Sequence, residues 1–223
     1  MPTALVVKSY EGEFEMQKQR PPFNPAPVKL SSEQVLIRPL TVEDAQGFYL
    51  AGQAKELWQW VFPNRCESLD RAKSWIEESL AFQDKGLHVP FVIVDRASGK
   101  IIGSTRYCSI RPADRNIEIG FTFISPEFQR THVNTQAKYL LLKNAFENLG
   151  AIRVELRTHE KNRKSRNAIL RIGAKFEAVL RNSRILPDGS IRNTALFSIT
   201  EQEWPEVKAE LESKIHQQYQ VPA

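Results

Sequence analysis

The sequence predicts one α/β (α+β) domain, built on a mixed, mostly antiparallel central sheet with helices on both faces. Residues 90–124 contain three consecutive strand-like segments joined by short turns, which is typical of an antiparallel meander. Segments whose apolar residues recur with helical spacing lie before and after this meander. With 223 residues, of which 41% are hydrophobic, the chain is long enough for one large core.

Residues 1–32 differ from the rest of the chain because four prolines crowd into residues 21–27 and apolar periodicity begins only at Val35. We interpret this segment as an N-terminal arm. Acidic residues at 11–15 replace the apolar stretch of a signal peptide, and no apolar run approaches the roughly 18 residues of a membrane-spanning helix. We therefore expect a cytoplasmic protein without a membrane partner.

The two cysteines and the net charge exclude few classes of function. Cys66 and Cys108 have neither metal-ligand spacing nor the density of a disulfide framework. The net charge of +5 suits an anionic ligand, which leaves a nucleotide cofactor or a nucleic acid open. Nucleic acid ranks last, because no recognition helix or basic strand interleaved with aromatics is present.

The first elements are a strand and two helices. Residues 35–40 (VLIRPL) predict a short strand, and Thr41 followed by Asp44 is typical of a capping box that starts a helix. Ser68 is expected to start a second helix that ends at Gly86.

The later elements alternate between strands and helices. The meander consists of strands at 90–95, 100–110 and 116–124. After it we predict a helix over 137–149 closed by Gly150, a strand over 153–158, a helix over 165–172, strands over 176–186 and 194–199, and a final, mostly exposed helix over 204–218.

Three motifs carry a resemblance to a known family. Residues 121–138 (FTFISPEFQRTHVNTQAK) contain a strand, Ser-Pro-Glu, an aromatic residue, a glutamine and a turn that opens a helix. This order resembles the acetyl-CoA loop of the GNAT superfamily of N-acetyltransferases, and in particular its RimJ/RimL-type branch. Asn162 and Ser165 with the Gly-Ala-x-Phe of 173–176, and the last hairpin over 179–199, are also similar to that family. The resemblance spans residues 33–200, with 1–32 as the arm and 201–223 as a C-terminal helix that packs on the domain or extends from it.

The resemblance implies a GNAT-type acyltransferase with acetyl-CoA as co-substrate; no metal is expected, because the four histidines have no zinc-site spacing. It implies transfer of an acetyl group to a primary amine, a protein N-terminus or a small molecule, by direct attack in a ternary complex; a homodimer is left open. The cofactor contacts that it implies are Phe123, Ile124, Ser125, Gln129, Arg130, Thr131, His132, Val133, Asn134, Thr135, Asn162 and Lys164.

The cofactor loop departs from the family pattern at two positions, where His132 and Asn134 replace the usual small residues. Glycine lets the backbone approach a diphosphate closely and adopt positive φ, which His and Asn tolerate less freely. Arg130 and His132 could instead contact the phosphates, and the helix that begins near Asn134 would offer unpaired N–H groups. A non-catalytic GNAT-like module that binds CoA or a partner protein is therefore kept as the alternative.

Acetyl transfer requires a base, a donor to the thioester carbonyl and an acid. Strict alternation over 116–123 would place Glu118, Gly120 and Thr122 on one sheet face, with Ile117, Ile119 and Phe121 on the other. Glu118 is then the candidate base, in the middle of the sheet. The alternative is a glutamate on a half-solvated face without a role.

The resemblance supplies the other two groups. It implies Ser165 as the acid that protonates the CoA thiolate, and a main-chain amide at Ile124 or Ser125 as the donor, where the family splays two strands apart. Asn162 and Ser165 also fit a purely structural role, because both residue types commonly cap helices.

The remaining candidates have structural alternatives as well. Trp58, Trp60 and Phe62 could line an acceptor pocket or fill the core. The basic run over 161–166 could meet a CoA phosphate or form a solvated helix face. The four histidines have no zinc-site spacing.

Overall fold

The structure of the chain is a computed structural model, and it describes residues 20, 22–61 and 63–219. Eight strands and five α-helices follow each other in these residues. They are β1 (Leu30–Ser31), β2 (Val35–Pro39), α1 (Ala45–Ala51), α2 (Leu69–Asp84), β3 (Val89–Asp95), β4 (Ile101–Arg111), β5 (Asn116–Ile124), α3 (Val133–Lys143), β6 (Arg153–His159), α4 (Arg163–Arg171), β7 (Lys175–Ile185), β8 (Ile191–Thr200) and α5 (Trp204–Tyr219).

The strands form one sheet in the order β1-β2-β3-β4-β5-β6-β8-β7. All neighbouring strands are antiparallel except β5 and β6, which are parallel. The predicted meander is β3-β4-β5, and the predicted fold class is confirmed. The parallel pair stands in the middle of the sheet, between the meander and the last hairpin.

Both faces of the sheet are covered by helices, because the strands bury apolar residues on both sides. One core contains Tyr107 of β4 and Leu141 of α3, together with residues of α4 and α5. The other core contains Phe48 of α1, Trp75 of α2 and Phe123 of β5. The first side is the α3 face of the sheet, and the second is the α2 face.

The first helices begin where the sequence predicts. The Ser68 hydroxyl accepts the Arg71 N–H at 3.2 Å and caps α2. The Asp44 carboxylate accepts the Thr41 N–H at 2.9 Å and also pairs with Arg38 at 2.6 Å. These contacts fix the turn between β2 and α1.

Both ends of the described chain pack more closely on the domain than the sequence suggests. Within the predicted arm, β1 adds an edge strand, and Phe23 and Val28 pack partly buried against the α3-face core. The last helix buries Trp204, Val207 and Leu211 against the α3-face core, while half of its described side chains stay exposed. Residues 1–19 of the arm lie outside the described residues.

Helix α3 buries a lysine. Lys138 is only 6% exposed, and its Nζ donates a hydrogen bond to the Thr122 hydroxyl of β5 at 2.7 Å. Within the part of the chain that the structure describes, no carboxylate forms an ion pair with it. Burial lowers the pKa of Lys138 to about 7.

We predict that Lys138 makes the free energy of unfolding depend on pH. Below pH 7 the amine is charged in both states, so the folded state bears the full cost of burying an ammonium group. Between pH 7 and the unfolded-state pKa of about 10.4 only the unfolded chain binds the proton, so stability rises with pH by on the order of 1 kcal/mol per unit. Urea unfolding at pH 7, 8 and 9 should show this rise in the wild type but not in Lys138→Met.

The matched control is Lys143→Met, which removes an exposed lysine from the same helix. It should keep the wild-type dependence on pH. Parallel stability curves for the wild type and Lys138→Met would contradict the buried ammonium.

Candidate active site

The site begins where two central strands stop pairing. Strands β5 and β6 are paired only at Asn116–Arg153, Ile117–Val154 and Glu118–Glu155. Beyond Glu118 the two strands diverge, although β5 continues to Ile124 and β6 to His159. A cleft of about 840 Å³ opens between them and reaches helix α4 and the β7-β8 hairpin.

A β-bulge at Phe121 changes which face the end of β5 presents. The register shifts between Ser104–Phe123 and Arg106–Gly120, and Phe121 has a φ of +52°. The Thr122 hydroxyl therefore meets the Thr105 hydroxyl at 2.8 Å, on the α3 face. Strict alternation was wrong for Phe121 and Thr122, because the extra residue exchanges the two faces beyond Gly120.

An arginine holds the bulge in place. The guanidinium of Arg106 lies between two aromatic rings, 4.5 Å from Trp75 and 4.4 Å from Phe121. It donates to the Ser79 hydroxyl at 2.8 Å and lies 3.0 Å from His88 Nδ1. Burial lowers the pKa of Arg106 to about 10, and burial together with the Arg106 charge lowers the pKa of His88 to about 4.

Glu118 lies at the last paired position of β5, where the cleft opens, and is 8% exposed. Its Oε2 accepts a hydrogen bond from the Ser109 hydroxyl at 2.9 Å and lies 3.6 Å from Arg157 Nε. Ser109 reaches it because a second irregularity, with a φ of +48°, interrupts β4. The carboxylate is thus fixed in place and still borders the cleft, as a base must.

The corner from Ser125 to Gln129 is braced by its own polar groups. The Ser125 N–H donates to the Ile102 carbonyl at 2.8 Å, so it is not free to polarise a thioester. Because antiparallel pairing alternates, the N–H and C=O of Ile124 point away from β4, toward the gap. The Gln129 side chain donates to the Ile124 carbonyl at 2.7 Å and accepts a hydrogen bond from Lys164. Of the two predicted donors, the main chain of Ile124 faces the right side.

In the predicted cofactor loop, the residue with positive φ is not the one that the family pattern suggests. Arg130 has a φ of +61°, whereas His132 has a φ of −64° and stands at the start of α3. The non-glycine residue at 132 is therefore not strained. Asn134 and Thr135 lie in the first helical turn, where N–H groups have no intrahelical partner. The sequence predicts that amides at this helix start bind an anion, and their position at the end of the helix is compatible with that prediction.

Seven of the predicted cofactor residues border the cleft, namely Phe123, Ile124, Gln129, Arg130, Asn134, Asn162 and Lys164. Five do not, namely Ser125, Thr131, His132, Val133 and Thr135. The Thr131 hydroxyl is used within the loop, where it donates to the Phe128 carbonyl at 2.7 Å, and Val133 is fully buried in the core.

The His132 side chain points away from the cleft. It borders a separate pocket of about 330 Å³ that it shares with Glu33, Gln34 and Asp95. Burial lowers the pKa of His132, while the nearby Asp95 opposes this shift. The His132 ring therefore lies toward the β3 end and outside the cleft, where it is not placed for the predicted contact with cofactor phosphates.

The start of α4 borders the cleft opposite the corner. The Asn162 side chain caps the helix by accepting the Ser165 N–H at 3.0 Å, so its structural role is present. The Ser165 hydroxyl faces the cleft and makes no hydrogen bond within the described residues. In the basic run, Arg163 and Lys164 border the cleft, whereas Arg166 donates to the Glu160 carbonyl.

The aromatic residues divide between core and cleft. Trp58 is buried, donates its Nε1–H to the Gly52 carbonyl at 2.7 Å and packs on Phe123. Trp60 borders the cleft with its ring centroid 4.6 Å from that of His159. Burial and then the Arg192 charge lower the pKa of His159. Phe62 lies outside the described residues.

Sequence reasoning missed several polar residues of the cleft. Lys138 and Arg157 come from the middle of α3 and β6, and Arg184 and Arg192 from the last hairpin. The signal for Lys138 was a charge on the apolar face of a helix. For the arginines, only the strand register indicates a position at the cleft, and the sequence pattern does not give that register.

Membrane-spanning helices and metal-binding clusters are both absent from the described residues. No helix there is long and apolar enough to cross a membrane. No group of three or more His, Cys, Asp or Glu side chains is arranged to hold a metal ion in the same part of the chain.

Comparison with known proteins gives consistent matches. The sequence model of the acetyltransferase (GNAT) domain matches residues 34–175. The uncharacterized N-acetyltransferase YoaA of Bacillus subtilis (strain 168) is 24% identical over 170 residues, which are 76% of this chain and 95% of that protein.

Solved structures share the fold. A GCN5-related N-acetyltransferase from Brucella melitensis is 26% identical with a TM-score of 0.82, over 90% of each chain. RimJ from Mycobacterium smegmatis, solved in complex with CoA-disulfide, is 22% identical with a TM-score of 0.72, over 88% of this chain and 97% of that one. RimJ therefore shares the fold of this chain. Because the family match covers more than half of the chain, the protein belongs to the GNAT family of acetyltransferases and is an acyltransferase.

Proposed function

We propose that the protein transfers the acetyl group of acetyl-CoA to a primary amine, either a protein N-terminus or a small-molecule amine, by direct attack in a ternary complex. The observation that carries the proposal is the position of Glu118, a fixed carboxylate at the point where β5 and β6 separate. Its neighbours on the cleft wall are an anion-binding helix start on one side and Trp60 with the last hairpin on the other.

The residues around the corner fit a nucleotide cofactor. The first-turn amide of α3 at Asn134 and the side chains of Arg130 and Lys164 suit phosphate groups. The N–H of Ile124 faces the gap, where it can donate to a carbonyl group of an extended ligand, whereas its own carbonyl already accepts from Gln129. When bound, acetyl-CoA supplies an acetyl thioester that an amine can attack.

The proposed roles of the side chains follow from their positions. Glu118 accepts the proton that the attacking amine loses, directly or through one water molecule. Arg157, 3.6 Å from its Oε2, keeps the carboxylate in place. As the C–N bond forms and the C–S bond breaks, the Ser165 hydroxyl donates a proton to the departing thiolate and regains one through water from Glu118. The Ile124 amide donates to the carbonyl on which charge develops.

We predict that acetyl-CoA stabilises the protein. A ligand present at 100 times its dissociation constant stabilises the folded state by about 2.7 kcal/mol, which corresponds to a rise in Tm of about 5–10 °C for a domain of this size. Thermal unfolding with acetyl-CoA and with CoA measures this. No rise with either compound at high excess would contradict the proposed cofactor.

A neutral variant of Arg130 tests whether its charge contributes to CoA binding. Arg130→Gln should weaken CoA binding by about three- to tenfold, because one cation is lost at the rim of the site. The matched control is Arg71→Gln, which removes an exposed arginine of α2 that pairs with Glu67. This variant should bind CoA like the wild type. Equal affinities of all three proteins would exclude Arg130 from the site.

We predict that Glu118→Gln lowers kcat by about 10²–10⁴-fold with little change in the affinity for acetyl-CoA, because the amide cannot accept the proton. Thiol release with an amine panel measures the rate. Glu177→Gln, which removes a glutamate of β7 outside the cleft, is the control and should retain wild-type kcat. Equal rates for Glu118→Gln and the wild type would remove Glu118 from the mechanism, and no thiol release with any amine would favour a non-catalytic module.

Two variants at the start of α4 separate catalysis from capping. Ser165→Ala keeps the N–H that Asn162 caps, so it should lower kcat and leave stability unchanged. Asn162→Ala should cost about 1 kcal/mol of stability, because the cap is lost. Wild-type kcat for Ser165→Ala across the pH range would show that the hydroxyl is not the acid.

A further inference from the structure

Two arginines of the last hairpin face each other across the strands. Arg184 of β7 and Arg192 of β8 are direct partners in the register, next to the pair Ile185–Ile191. Like charges directly opposite each other destabilise an antiparallel pair. The conformation of the hairpin therefore carries an electrostatic cost at this position.

Nothing in the described part of the chain offsets that cost by a direct ion pair. The neighbouring arginines do have partners, since Arg153 bonds Glu177 at 2.5 Å and Arg157 bonds Glu155 at 2.6 Å. No ion pair among the described residues includes Arg184 or Arg192. The Arg192 Nε is buried and has no hydrogen-bond partner there.

Both arginines border the cleft, and the register assigns Arg192 to the face of Glu118. Glu118 is opposite Glu155, Glu155 is opposite Ser198, and alternate residues along β8 bring Arg192 to the same side. Residues 195, 197 and 199 point the other way and belong to the core on the α3 face. The phosphate-binding start of α3 lies on that other face, so the arginine pair is not placed for the cofactor diphosphate.

The rest of the cleft does not supply the missing negative charge. Among the described residues, its walls contain two carboxylates, Glu56 and Glu118, and eight lysines and arginines. Glu118 is already held by Ser109 and Arg157, although its charge still acts on Arg192. An anion that enters the acceptor side would find two unpaired guanidinium groups.

We propose that Arg184 and Arg192 bind an anionic group, a carboxylate or a phosphate, on the amine acceptor. This inference rests on the proposed acetyl transfer to an amine and names the class of acceptor. Guanidinium groups present planar pairs of N–H donors that match the oxygens of either anion. The acceptor is then an amine whose anionic group reaches the hairpin while its nitrogen lies near Glu118. Polyamines and other polycations are excluded as good acceptors, because they would meet the same two charges.

The test compares matched acceptors and matched variants. The acceptors are an amino acid, its carboxamide and its decarboxylated amine, together with phosphoethanolamine and ethanolamine, and spermidine as the polycation. The variants are Arg192→Gln and, as control, Arg181→Gln, which removes an exposed arginine of β7 outside the cleft. Thiol release gives kcat/KM, and thermal unfolding gives Tm.

For the wild type we expect kcat/KM to be at least about tenfold higher for the anionic member of a matched set. The carboxylate and phosphate sets show which anion is preferred. Arg192→Gln should lower kcat/KM by about 10- to 100-fold for anionic acceptors and by less than about threefold for the uncharged ones, with unchanged affinity for acetyl-CoA. Its Tm should equal or exceed that of the wild type, because the repulsion with Arg184 is removed. Arg181→Gln should behave like the wild type.

Two results would overturn the inference while leaving acetyl transfer in place. One is spermidine or the decarboxylated amine reacting as well as the anionic acceptors. The other is Arg192→Gln lowering kcat/KM equally for every acceptor. No thiol release with any amine would instead overturn the proposed function and this inference with it.

Discussion

The whole arrangement depends on one unfinished pairing in the sheet. Strand β5 is bonded to β4 along most of its length, but it pairs with β6 only up to Glu118. Backbone groups beyond that point face a gap, and buried N–H and C=O groups need partners. Gln129 satisfies the carbonyl of Ile124 at 2.7 Å. The Ile124 N–H faces the same gap, because antiparallel pairing with β4 alternates, so the cleft wall presents backbone as well as side chains.

The bulge at Phe121 is costly, and the surrounding residues hold it in place. A phenylalanine with positive φ is disfavoured, so the residue would relax if it were free. Arg106 prevents this by stacking on Phe121 and on Trp75 at the same time, while Ser79 and His88 bind its guanidinium. Contacts on the α2 face thus hold the strained backbone of Phe121 at the cleft. These contacts also turn Thr122 toward Lys138 on the other face.

Local patterns predicted the elements well, and contacts between distant segments account for what they missed. Strand β5 has the predicted bounds, and Ser68 starts α2, because apolar alternation and capping are properties of a few adjacent residues. The sheet face of Glu118 followed from the same alternation, whereas the gap beside it was implied only by the family resemblance. The direction of Phe121 could not, because Arg106 and Trp75 decide it from β4 and α2. The pairing of Arg184 with Arg192 depends on the hairpin register and on an irregularity between Leu180 and Arg184, which composition does not reveal.

The glycine-poor cofactor loop illustrates why a motif is a statement about backbone positions. The usual small residue at position 132 suggested that a histidine there would strain the corner, yet this backbone is helical, and positive φ occurs two residues earlier, at Arg130. Arginine accepts that conformation at a cost, since it lacks the freedom of glycine. In return its charged side chain borders the cleft beside the amides of α3. The loss of bare backbone at the loop is therefore offset by a cation at the same corner, and the surface remains suited to a phosphate.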